Sequence, residues 1–288
     1  MNRTVYDSVL TRDLLTCGRK FYYLHVEGWR TRKMSVDLFF GQLYASALEK
    51  FHKLQAEGTP QEDALITIVH DTLKATWKDG KPWDSEGHVK NRETLIRTIV
   101  WYIDQFGDKD SMRTVILSDG RPAVELSFTF ELSSKYAYSG HLDRLVEYNG
   151  DIYVQDQKST KSTLAPYYFV QFDHPEVQMT GYSFAGKIIY NSPVKGVVID
   201  AAQIAVGFSR FERGFTGRTE AQLQEWQATV LHHITEAEHG NYPMRPTSCG
   251  AYGGCMFRSV CNKDPSLREN FLKADFVKGP LWDPEHKR

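Results

Sequence analysis

Two carboxylates and an amine fall on neighbouring segments that read as a β-hairpin. The segments YAYSGHLDRLVEY and DIYVQDQKST alternate in polarity, are rich in β-formers, and meet at Asn149-Gly150, the strongest short hairpin signal. A two-residue turn there pairs Tyr148 with Asp151 and sets Asp143 opposite Asp156, and period-two alternation adds Lys158 to the same face. Directly opposed residues have Cβ atoms about 4.5 to 5.5 Å apart, a separation from which two carboxylates can share one divalent cation. Left bare, like charges facing each other destabilise a hairpin, so the pattern calls for a metal or for Lys158 to neutralise it. The acidic-x-Lys triplet says little alone, because Asp79-Gly80-Lys81 and Glu285-His286-Lys287 carry it too. On the local pattern, a solvated face with a surface ion pair has an equal claim.

A second set of candidate ligands is sulfur. The chain has 4 cysteines, Cys17, Cys249, Cys255 and Cys261, the last three spaced C-x₅-C-x₅-C and parted from the first by most of the chain. Four thiolates are the number needed for one [4Fe–4S] cluster or one structural Zn²⁺, while disulfides and isolated thiols are the alternatives. Gly250, Gly253 and Gly254 would let the loop between them wrap a cluster with N–H groups aimed at sulfur.

The elements that must position these groups follow from periodicity. Residues 8 to 25 start at a capping Ser and carry Leu10, Leu14, Cys17, Phe21 and Leu24 at helical steps, and helices are also expected over roughly 37 to 56, 60 to 76 and 90 to 106. AVELSFTFEL then precedes the hairpin as a strand. Pro175 opens a helix through about Tyr190, VKGVVIDAAQIAVGFS reads as one long or two short strands, and a helix runs from about Glu220 to Glu238. The expected organisation is one domain over 1–288: a mainly helical part to 110, a core over 111–240, a cysteine segment over 241–265 and a tail over 266–288. This order points to an α/β fold with a central mixed sheet flanked by helices.

Composition excludes other classes. The 288 residues hold 35 Lys+Arg against 36 Asp+Glu, a formal charge of −1, with 41% hydrophobic and 25% charged residues. That rules out a disordered or fibrous chain and a histone-like polycation, though not a local basic groove. No run approaches about 18 apolar residues, and Met1-Asn2-Arg3 leads into a polar helix rather than a signal core, so no membrane association and a cytoplasmic setting are expected. No Gly-rich phosphate loop for ATP is present. Local basic groups include Arg30, Arg32, Lys161, Arg210, Arg213 and Arg218, each more often a solvated surface feature.

The order Gly140-His141-Leu142-Asp143-Arg144, then Val154-Gln155-Asp156-Gln157-Lys158-Ser159-Thr160, then Gln178-Met179-Thr180-Gly181-Tyr182 resembles the PD-(D/E)XK nuclease superfamily, in its RecB-like and Cas4-like exonuclease branch. The resemblance implies a restriction-endonuclease-like core in which Asp143 and Asp156 bind Mg²⁺ or Mn²⁺, with the Gln157 carbonyl as a further ligand. It implies that Lys158 orients or activates the attacking water. Gln178 and Tyr182 lie four residues apart and project from one helix face, where they could hold Lys158 or a DNA backbone. Glu125, on the preceding strand, matches another acidic position of such proteins.

One motif departs from the family. Its opening Gly-x-x-x-His-x-x-Leu-Glu helix matches Gly41, Leu48 and Glu49 here, but Ala45 stands at the metal-binding His position and cannot coordinate anything. His52 lies about 10 Å further along the helix axis, too far to replace it, while Glu49 remains a candidate carboxylate beside the metal. Cys17-Gly18-Arg19-Lys20-Phe21-Tyr22-Tyr23 resembles the element supplying the first ligand of the iron–sulfur staple in such nucleases, with Gly18 for the usual Pro and a longer first spacing in the C-terminal triplet. The reading is a metal-dependent DNA nuclease, an exonuclease on single-stranded DNA or DNA ends. Lys161, Arg144 and Tyr182 are its candidate nucleic-acid contacts. Recombination, helicase or CRISPR-integration proteins are its implied partners, in bacterial, archaeal or phage-infected cells. The competing reading is a catalytically impaired DNA-binding or scaffold protein that keeps the fold and cluster.

Overall fold

A computed structural model describes residues 3–173, 176–190, 193–250 and 254–285. In chain order the elements begin with β1 (Thr4–Tyr6), α1 (Ser8–Thr16), α2 (Gly18–Phe21), β2 (Trp29–Thr31), α3 (Val36–Ala56) and α4 (Gln61–Ala75). A small hairpin, β3 (Trp77–Lys78) and β4 (Lys81–Pro82), leads to α5 (Arg92–Gln105) and β5 (Arg113–Thr114). Then come β6 (Val124–Glu131), β7 (Tyr136–Tyr148), β8 (Asp151–Thr160), α6 (Pro166–Val170), α7 (Val177–Tyr190), β9 (Gly196–Ile204) and β10 (Ser209–Thr216). The chain ends with α8 (Glu220–Glu238), α9 (Arg258–Cys261), α10 (Arg268–Asp275) and β11 (Phe276–Lys278). Among the described residues no helix is long and apolar enough to cross a membrane.

Seven strands form one mixed sheet in the order β1-β7-β8-β9-β10, with β5 and β6 also paired to β7, and helices flank it, as the periodicity predicts. β7 and β8 are antiparallel about Asn149 (φ 52°) and Gly150 (φ 81°), the left-handed pair that a two-residue turn requires. β8 and β9 are parallel, so α7 is the crossover between them. Every residue of β9 is buried, which explains its nearly unbroken apolar run. Gly186 brings α7 close to the sheet: a Cβ there would stand 2.8 Å from Val154 Cγ2.

The chain divides into two compact units. The first comprises Met1–Met34, Thr129–Gly140 and Glu220–Arg288, and the second Ser35–Phe128 and His141–Thr219. In the first, Tyr23, Leu24, Trp29, Phe257, Val260, Leu272 and Phe276 form the core beside Cys255 and Cys261. In the second, α3, α4 and α5 bury Phe40, Leu48, Phe51, Ile68, Leu95, Ile99 and Tyr102 against Ala202, Ile204 and Phe211 of β9 and β10.

Several expectations change. The helix over 8–25 breaks at Cys17, which is extended (φ −167°, ψ 116°), and continues as α2 and a π-helical turn over Tyr22–Val26. Gly18 is required there because a Cβ would meet Pro243 at 2.9 Å. The expected helix start at Pro175 lies outside the described residues, as does Gly253 of the cysteine loop. Strands β1, β2, β5, β10 and β11 and the β3–β4 hairpin went unrecognised because most are too short for alternation to register.

The second unit also buries an ionic network on the sheet face carrying Arg144 and Gln155. Arg213 reaches Asp110 at 2.6 and 2.8 Å and Asp200 at 3.2 Å, and its guanidinium lies 3.9 Å from the Phe106 ring centroid. Asp200 also accepts from Tyr102 (2.6 Å) and Gln155 (2.5 Å). Arg144 is 3% exposed; its Nη1 lies 2.6 Å from His52 Nδ1 and its Nη2 3.5 Å from Asp110. Removing Arg213 would leave the buried Asp200 without a cation and Asp110 with Arg144 alone, so Arg213→Met should cost about 3 to 5 kcal/mol in urea unfolding. Burial, with the Arg144 and Arg213 guanidiniums beside it, holds the His52 imidazole well below the usual histidine range. The unfolded chain therefore takes up a proton that the folded one refuses, and this part of the stability is full above about pH 6.5 and falls as pH drops. His52→Gln, which keeps an acceptor for Arg144, should flatten the loss between about pH 7.5 and about pH 5.5 by roughly 1 kcal/mol.

Candidate active site

The ladder between β7 and β8 runs from Tyr148 opposite Asp151 to Arg144 opposite Gln155, as the turn predicts. Asp143 then departs from the expected pairing with Asp156: its Oδ2 accepts the N–H of Gln157 at 2.9 Å. The carboxylate thus takes a backbone donor, and Gln157 enters the site through its main chain. Asp156 is 1% exposed, and its Oδ2 lies 2.5 Å from Lys158 Nζ. Burial pushes its carboxyl up to about 7; the Lys158 ammonium opposes the shift, and the neighbouring charges of Asp143 and Glu176 add to it.

Lys158 is held from the other side by α7. Its Nζ donates to Gln178 Oε1 at 3.0 Å, and Gln178 Nε2 donates to the Tyr182 hydroxyl at 2.9 Å, so the four-residue spacing produces one chain of hydrogen bonds on one helix face. This sets the lysine between a buried carboxylate and a fixed amide. Glu176, just before α7, was not singled out in the sequence; its Oε2 accepts the N–H of Met179 at 2.9 Å. An acid two residues before Gln178, at a helix start, was the available signal.

Other candidates lie elsewhere. Glu49 pairs with Lys53 at 2.5 Å, one turn along α3. His52 is buried against Arg144 rather than flanking the site. Arg144, read as a nucleic-acid contact, is enclosed in the opposite-face network, and Tyr182 is 8% exposed with its hydroxyl engaged by Gln178. Lys161 is exposed and pairs with Asp37 at 3.1 Å. Arg213 belongs to the buried network, and Arg218 donates to Thr180, Thr216 and the Phe172 carbonyl, so neither lines an open channel. Glu125 has φ 51°, a strained value for a strand residue other than Gly. Ala45 is half-buried one turn beyond Gly41, whose Cβ position lies 3.7 Å from Ser159 Oγ.

Among the described residues no three His, Cys, Asp or Glu side chains form a group that could hold an ion. What Asp143, Asp156 and the Gln157 carbonyl offer is oxygen alone. That donor chemistry suits a hard cation such as Mg²⁺ or Mn²⁺, which keeps much of its water, better than a nitrogen- or sulfur-seeking metal. Burial, with the neighbouring Asp143 and Glu176 charges adding to it, raises the Asp156 carboxyl, and such a cation would offset that cost.

In the first unit all four cysteines are free and line one cavity of about 320 Å³, together with Lys20, Arg245 and Arg258. Burial raises the Cys261 thiol, and the neighbouring Cys255, Cys17 and Cys249 thiols raise it further.

A family model of the PD-(D/E)XK nuclease superfamily matches residues 11–262. The fold is similar to that of a "putative exonuclease" from Eubacterium rectale, with TM-score 0.50 and 13% identity over 92% of this chain and 91% of that one. The structure of SSO0001 is similar over 91% of this chain and 87% of its own at 13% identity, with a TM-score of 0.38 that adds no argument. No curated protein matches the sequence. With most of its length matched and the Asp143, Asp156 and Lys158 side chains gathered as the family motif requires, the chain belongs to the PD-(D/E)XK nuclease superfamily.

Proposed function

We propose that this nuclease is a Mg²⁺- or Mn²⁺-dependent deoxyribonuclease, an exonuclease acting on single-stranded DNA or DNA ends, with its two units working as one nuclease domain. The observation that carries the reading is Lys158, ion-paired to a buried Asp156 beside Asp143 and held by Gln178. Asp143, Asp156 and the Gln157 carbonyl would hold the cation, which when bound supplies Lewis acidity to a phosphoryl oxygen and its attacking water. Lys158 turns its remaining N–H donor toward that water, and its charge offsets developing negative charge on phosphate. Gln178 and Tyr182 are positioning residues that fix the ammonium. Burial keeps bulk water from screening these charges. Cytoplasmic DNA processing with recombination, helicase or CRISPR-integration proteins is the matching setting.

A second proposal concerns the cysteine cavity: Cys17, Cys249, Cys255 and Cys261 would hold a [4Fe–4S] cluster that ties the N-terminal helices to the C-terminal segment. Four thiols that face one cavity, three of them raising the charging cost of Cys261, support a cationic centre there. Lys20, Arg245 and Arg258 would offset the thiolate charge.

Ala45 supports the competing reading of a weakened enzyme that mainly binds DNA. Degradation of a labelled single strand in Mn²⁺ separates the two. Asp156→Asn and Lys158→Ala should each lower kcat by about 10²- to 10⁴-fold with an unchanged circular dichroism spectrum, and undiminished cutting by either would overturn the assignment. Ala45→His should raise the rate; no rise would mean that another group already fills that place. Protein purified without oxygen should show a broad band near about 400 nm that Cys17→Ser removes, whereas a colourless, active protein would reject the cluster.

A further inference from the structure

The β3–β4 hairpin in the second unit has a surface that its own fold leaves uncompensated. Asp79 (φ 53°) and Gly80 (φ 73°) make its two-residue turn, and Lys78 pairs directly with Lys81. Like charges facing each other across a hairpin are destabilising. Among the described residues neither ammonium has a hydrogen bond or an ion pair, nor has that of Lys74 in the last turn of α4. Beside them Trp77 is 50% exposed, and the Arg92 guanidinium lies 5.3 Å from its ring centroid, fixed by donation from Nε to Thr76 Oγ1 at 3.0 Å. An exposed indole among unpaired cations is the pairing that recognises a base and its phosphates together.

The hairpin also connects to the catalytic strand. Trp83 donates its backbone N–H to the Thr76 carbonyl at 2.8 Å, closing the hairpin base, and its ring meets Phe39 of α3 edge-on at 5.0 Å. Asp37, in the same turn of α3, lies 3.4 Å from Lys90 Nζ. Lys90 in turn donates to the Ser159 carbonyl at 2.9 Å and to Ser159 Oγ at 3.1 Å, one residue beyond Lys158. The hairpin is therefore anchored to the end of β8 that carries the proposed catalytic lysine.

We infer that the Trp77–Pro82 hairpin is a binding site for single-stranded DNA, in which Lys78, Lys81 and Lys74 engage phosphates and Trp77, backed by Arg92, stacks on a base. This rests on the nuclease reading for the choice of DNA, and it assigns the hairpin the strand beyond the scissile bond.

The test is fluorescence anisotropy with an oligothymidylate of about 20 nucleotides, divalent cations being chelated so that nothing is cut, followed by Mn²⁺-dependent cleavage of the same strand. The Lys78→Ala/Lys81→Ala double variant should bind about tenfold more weakly, with the slope of log Kd against log salt reduced by about 1.4. Trp77→Ala should weaken binding comparably, and Trp77→Phe should restore most of it. These side chains are exposed, so folding is not at stake, and relief of the lysine pair should leave the melting temperature unchanged or raised. Binding equal to wild type in both variants, or a loss seen on duplex but not on the single strand, overturns the inference. A wild-type protein that binds through the hairpin yet cuts nothing would reject the nuclease reading alone. Hairpin variants that cut with unchanged KM would reject the hairpin alone.

Discussion

The constraint that organises the second unit is the burial of Asp156 next to Asp143. A carboxylate taken out of water beside another is costly unless positive charge is brought to it, and Lys158, one strand step of the same face away, is the charge the chain itself supplies. That lysine has enough freedom to leave, so it is restrained in turn by Gln178, whose amide is restrained by Tyr182. The restraint works only if α7 lies close to β8, which the missing side chain at Gly186 permits.

Strand alternation lets the same two strands serve two purposes. Asp143, Asp156 and Lys158 face α7, while Arg144 and Gln155, one residue away, face a sealed network with Asp110, Asp200, Arg213, Tyr102 and His52. The site face pairs its buried carboxylate with Lys158. The opposite face balances its charges among protein groups, which gives the strands a fixed register. In the first unit the break at Cys17 serves a comparable purpose. An uninterrupted helix would carry that thiol along its periodic face, whereas the extended residue brings it to the cavity of the other three cysteines.

Much of this was legible in the residues themselves. The Asn149-Gly150 turn fixes the β7–β8 register by local backbone preference, α3, α5 and α8 follow from helical periodicity, and the four-residue spacing of Gln178 and Tyr182 places them together on any helix. The short strands were not legible, because two or three residues carry no period and gain their partners only from the assembled sheet.

The sequence by itself determined which side chains share a face, since alternation and helical spacing are properties of the local backbone. Tertiary structure decided which of those faces are dry, and with that the roles. It turned Arg144 from a surface cation into a buried network member, set His52 among guanidiniums, drew Glu49 to Lys53, and gave Asp143 a backbone donor in Gln157. The physical reason is that charge and hydrogen-bonding groups take their energies from solvent access and from neighbours distant in the chain, and neither is written in the spacing of nearby residues.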